Sequence, residues 1–190
     1  MPATSALRLG GTPPNHLEVA LPGAAIGLVA GLFATGVGMV AGLPLAMTGT
    51  AGLALGLPLA VLGAVYSVLL ARGVFPIGAV APLALYWLVG FPAAQLFDAH
   101  MVAWVIGDGP ALREPLMSFL ALQAMLSFGF TIGFLWLHER TMPHWLIRVR
   151  GHNPVAEALF QRYLVHAAHL NRRREGRRAR RSPGGRGRPD

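Results

Sequence analysis

The sequence contains neither cysteine nor lysine. With no thiol, disulfides, thiolate metal sites and thiol catalysis are all excluded. All sixteen basic residues are arginine, which reads as GC-rich coding rather than as a chosen guanidinium chemistry. Charge of either sign is scarce. Charged residues make up 13% of the chain and hydrophobic residues 54%, whereas a soluble domain carries about 25% charged residues. This balance places the chain in the membrane class. The net charge of +8 is local, because nine arginines lie between Arg172 and Arg188.

The longest absence of charge runs from Val19 to Ala71, between Glu18 and Arg72. As a single helix rising about 1.5 Å per residue it would reach roughly 80 Å. A bilayer core is about 30 Å thick and takes about 20 apolar residues to cross. The stretch is therefore two crossings with a turn between them, and the rest of the chain is arranged around that hairpin.

In chain order, residues 1–20 hold Pro2, Gly10, Gly11, Pro13 and Pro14 and are expected to be a mobile cytoplasmic arm. Residues 21–137 are expected to form a transmembrane domain with spans at about 22–43, 48–71, 75–97 and 115–137. Pro22 suits a first helical turn, and Gly42-Leu43-Pro44 marks the break between the first two spans. The third span carries Pro76, Pro82 and Pro92; two of these read as interior prolines that kink the helix. Asp98 to Glu114 reads as the long outer connection, with Trp104 at the interface. Residues 138–170 are expected to be a cytoplasmic juxtamembrane segment followed by an amphipathic helix. That helix opens at Asn153-Pro154, and its apolar set of Ala156, Leu159, Phe160, Tyr163 and Leu164 has helical spacing. Residues 171–190 are Arg/Gly/Pro-rich and are expected to be a disordered tail. The fold class is thus all-α, a four-span integral membrane bundle with a C-terminal amphipathic helix. Fifteen arginines then share one side and Arg113 alone lies opposite, so the positive-inside rule puts both termini in the cytoplasm of a cell-membrane protein.

Glycines spaced by four recur in the spans: Gly23, Gly27 and Gly31; Gly38 and Gly42; Gly52 and Gly56; Gly129 and Gly133. In lipid, such small residues mark helix-packing faces. The first group is expected to pack against Gly52 and Gly56 or against another subunit. Gln123, Ser127 and Thr131 share one face of the fourth span, which is expected to point into the bundle. No Asp, Glu, Arg or His falls within the spans as drawn, which argues against proton-coupled transport through the core.

Metal and catalytic signals are weak. Asp98 and His100 sit at the outer end of the third span, and His138 and His144 near the inner end of the fourth. His138-Glu139-Arg140-Thr141-Met142 begins like a zinc-protease helix, but Met142 stands where the second histidine belongs. No phosphate loop or serine elbow is present, and no cofactor is expected. The Arg172, Arg173, Arg174, Arg177 and Arg178 cluster fixes topology and is a candidate contact for anionic lipid. Without interleaved aromatics it is a poor reader of nucleic acid.

These features favour a non-enzymatic accessory or assembly subunit of a membrane complex, with other membrane proteins or a second copy as partner. The alternative is a small homo-oligomeric transporter or channel for an uncharged or small solute.

Overall fold

The computed structural model describes residues 13–107 and 109–181. Among these residues the chain is all-helical, with α1 (Pro13–Val40), α2 (Leu45–Ala71), α3 (Val80–Ile106), α4 (Leu116–Val149) and α5 (Pro154–Arg181). The first four are long and apolar enough to cross a membrane, and their outer faces present large apolar side chains such as Phe33, Val89 and Ile132. The architecture is a helical membrane bundle.

α1 and α2 form an antiparallel hairpin around Gly42, whose φ of 77° is one that glycine adopts without strain. Glycine lets the two backbones touch. A Cβ added at Gly23 would overlap Gly63, one at Gly27 would overlap Leu59 and Ala60, and one at Gly31 would overlap Gly52 and Gly56. Close approach of this kind is how helices associate in lipid, where hydrophobic exclusion supplies no drive. Thr35 adds a cross-helix bond by donating to the Thr48 carbonyl at 3.2 Å.

α3 and α4 close the bundle with an aromatic core. The Trp87 ring lies 4.8 Å from Phe134, and Phe134 stacks on His138 with centroids 5.6 Å apart. Tyr66 meets both Phe134 and His138 edge-on. Tyr86 ties α3 to α2 by donating to the Leu62 carbonyl at 2.7 Å.

The helices overrun the expected spans at several ends. α1 begins at Pro13 rather than Pro22, so the expected mobile arm is helical from there on; the earlier residues lie outside those described. Side-chain bonds from distant segments hold this first turn, and local periodicity does not register them. α3 begins at Val80, leaving Phe75 and Pro76 in a connection and Pro82 in the first turn, where a missing N–H costs nothing. Only Pro92 is a deep interior proline. The far end of α3 runs to Ile106, because no Gly or Pro intervenes after Asp98 until Gly107, which caps the helix at a φ of 71°. The outer connection is correspondingly short. α4 continues beyond Leu137 to Val149 and passes through Pro143. α5 continues past Asn171 to Arg181, where disorder was expected. Arginine is a good helix former, and no proline intervenes before Pro183. Residues 182–190 lie outside the described part.

Candidate functional site

The extended start of α1 and the extended end of α4 meet at one end of the bundle, together with the α2–α3 connection and the first turns of α5. Pro22 has no N–H, so the Glu18 carbonyl four residues earlier loses its helical partner. The indole N–H of Trp145, on α4, donates to that carbonyl at 2.7 Å. The Glu18 carboxylate receives Nδ2 of Asn153 at 2.8 Å and lies 3.1 Å from Nε2 of His152.

Asn153 is fully buried and works in two directions. Its Oδ1 accepts the N–H groups of Val155 and Ala156 at 3.0 Å, which caps α5. Its Nδ2 also donates to the Asn15 carbonyl at 2.8 Å, so a single amide joins the start of α5 to the start of α1. Further along α5, Arg162 donates to the carbonyls of Leu70 and Ala71 at 2.7 and 3.2 Å. Those carbonyls end α2, where that of Leu70 also accepts the Gly73 N–H at 3.0 Å and the helix dipole favours a cation. These bonds latch α5 to the start of α1 and the end of α2.

A third polar group lies beneath the latch. Ser67 and His138 are both fully buried, with Oγ and Nε2 3.0 Å apart. The Ser67 hydroxyl donates to the Gly63 carbonyl at 3.2 Å, which leaves Nε2–H of His138 as the donor to Ser67. A serine activated by a histidine needs a substrate path and a group that orients the histidine. Neither side chain is exposed here, and Nδ1 of His138 has no partner among the described residues, so the pair is packed as a core bond. Beside it the Tyr163 hydroxyl donates to the Glu139 carboxylate at 3.3 Å. Burial, reinforced by that carboxylate, holds the Tyr163 hydroxyl well above its usual pKa, so it stays a donor.

The other residues singled out from sequence are placed as follows. Gln123, Ser127 and Thr131 are buried on the inner face of α4. The hydroxyls of Ser127 and Thr131 bond carbonyls of their own helix, and Oε1 of Gln123 has no partner among the described residues. Gly38 faces Thr48, whereas Gly42 lies in the turn; Gly129 and Gly133 face open space. Asp98 and His100 stand two residues apart on one helix and so point to different faces, with Nδ1 of His100 on the Leu96 carbonyl. His138 is buried and His144 is exposed on the Arg140 carbonyl, so these two do not converge either. Among the described residues no three His, Asp or Glu side chains come together as a metal site. Arg172, Arg173 and Arg174 are exposed on α5, and Arg177 and Arg178 fall in its last turns. The spans as drawn contain no Asp, Glu, Arg or His, but α1, α3 and α4 extend beyond them and carry such groups there, His138 among them and fully buried.

Sequence reasoning missed Glu18, Ser67, Trp145 and Arg162 as tertiary partners. The Asn-Pro signal found Asn153 as a cap but not its bonds to α1.

These features define a multipass helical membrane protein with an additional helix fastened across one end. No family model matches the sequence, and no curated protein or solved structure matches it.

Proposed function

We propose that the protein is a non-enzymatic accessory or assembly subunit of a membrane complex, set in the cell membrane with both termini in the cytoplasm. The latched α5 carries this reading. Its inner face, with Ala156, Leu159 and Tyr163, is buried against the bundle, while Leu164, Val165 and Leu170 are exposed. A helix held at its base that exposes these apolar side chains suits docking of another helix, because the ordering entropy has already been lost before the partner arrives. The arginine distribution supports the orientation, with Arg72, Arg162 and Arg172–Arg174 at the latched end and Arg113 at the other.

The test is purification of the tagged full chain in mild detergent, with mass determination of the intact complex. The reading expects one partner chain at fixed stoichiometry, lost when Leu164 and Val165 are both changed to Asp while the melting temperature holds. A particle containing this chain alone, or a partner indifferent to that change, would count against it.

A second reading, a small homo-oligomeric transporter or channel for an uncharged or small solute, rests on Gln123. Its buried carbonyl, without a partner among the described residues, sits on the same face as Ser127 and Thr131. Solute flux in liposomes that disappears with Gln123→Leu would favour it.

A further inference from the structure

Beside the latch, α1 and α4 diverge and leave a cleft of about 720 Å³. Its two ends differ in chemistry. At the latched end, Arg140, His144 and Arg148 recur every four residues and line one wall, sharing a face of α4. Toward the bundle middle the walls are apolar. There the cleft adjoins a second hollow of about 380 Å³, with Ile26, Val29 and Leu137 lining both. The second hollow continues past Phe33 to Gly133, where a Cβ would meet nothing within 4 Å. The boundary between the two halves is marked by Trp136, which lies under the Arg140 guanidinium at 5.5 Å. Tryptophan favours the headgroup level of a bilayer, so Arg140 lies at phosphate depth, with His144 and Arg148 one and two turns further out and the apolar hollow at acyl depth.

The geometry points to this cleft as a binding site for one anionic phospholipid, its phosphate at Arg140, the rest of its headgroup facing His144 and Arg148, and an acyl chain laid along Val29, Phe33 and Gly133. Charge complementarity selects the occupant. Any lipid can fill an apolar groove, but two guanidiniums beside a histidine favour a net anionic headgroup over a zwitterionic one. The groove is independent of α5, so this site stands whether or not α5 docks a partner. It is also separate from the exposed arginines of α5.

The experiment is native mass spectrometry of the full chain in detergent, titrated with phosphatidylglycerol or phosphatidylcholine of identical acyl chains. The wild type should retain one phosphatidylglycerol with a preference of roughly thirtyfold. Arg140→Gln with Arg148→Gln should remove the preference. Both side chains are exposed, so the fold is expected to survive, and an unchanged melting temperature checks this. Gly133→Leu, which projects into open space, should lower retention of both lipids. Replacement of Arg172, Arg173 and Arg174 by Gln should leave the preference in place. Equal retention of the two lipids by the wild type would overturn the proposal. So would a preference that follows the α5 arginines and ignores Arg140 and Arg148.

Discussion

The indole N–H of Trp145 donates to the backbone carbonyl of Glu18, 2.7 Å away and 127 residues earlier in the chain. Pro22 makes that carbonyl available by withholding the N–H that a regular helix would supply. A proline that would weaken an isolated α1 thus creates the acceptor through which α4 holds α1.

Trp145→Phe keeps the ring and removes the donor. It should lower stability by about 1 kcal/mol, the usual net value of such a bond. Pro22→Ala restores a helical N–H for Glu18, so in that background Trp145→Phe should cost much less. Thermal unfolding of the four proteins in one detergent measures this coupling. Equal costs in both backgrounds would mean that the carbonyl freed by Pro22 is not what Trp145 holds.

Gly27 and Gly129 have the same sequence signature and opposite surroundings. Gly27→Leu should destabilise the bundle by about 3 kcal/mol or more, because backbone atoms of Leu59 and Ala60 occupy the space its side chain needs. Gly129→Leu projects into open space and should leave the melting temperature within a few degrees of wild type. Melting curves read both, and a tolerated Gly27→Leu would show that α1 and α2 are further apart than described.

Arg162 holds α5 through the last carbonyls of α2. Arg162→Ala should cost about 1.5–3 kcal/mol, the range for hydrogen bonds involving a charged group. The loss should be local, with faster hydrogen exchange in α5 and little change in α1–α3. Uniform protection throughout α5 would indicate that the apolar face of Ala156, Leu159 and Tyr163 suffices to dock it.

His138 is packed as a core residue between Phe134, Tyr66 and Ser67. His138→Phe preserves the stacking on Phe134 and leaves Ser67 bonded to Gly63, so it should cost less than about 1.5 kcal/mol. His138→Ala opens a cavity and should cost about 3 kcal/mol. If His138→Phe were as damaging as His138→Ala, the bond from Nε2 to Ser67 would outweigh the packing.

The four apolar blocks were legible because a charge at mid-bilayer is expensive, and its absence can be read directly from sequence. The helix ends were less legible. Nothing local tells Pro13 to start a helix or His138 to remain inside one, because their partners, Asn153 for the first turn of α1 and Ser67 for His138, lie far along the chain. Glycine spacing had the same limit. It identifies smooth helix faces at Gly23–Gly31 and at Gly129–Gly133, but only the fold shows that the first has a neighbour. The latch was almost invisible, since Glu18 and Arg162 look like ordinary surface charges until α1, α2 and α5 come together.

Four crossings put α5 at the same end of the bundle as the start of α1. The absence of cysteine allows a direct test with two single-cysteine variants, Glu114→Cys in the α3–α4 connection and Gln161→Cys on α5, both at exposed positions. In intact cells a membrane-impermeant thiol reagent should label Glu114→Cys, and should label Gln161→Cys only after the membrane is opened. Labelling of both from the same side would contradict the four-span bundle and the docking function proposed for α5.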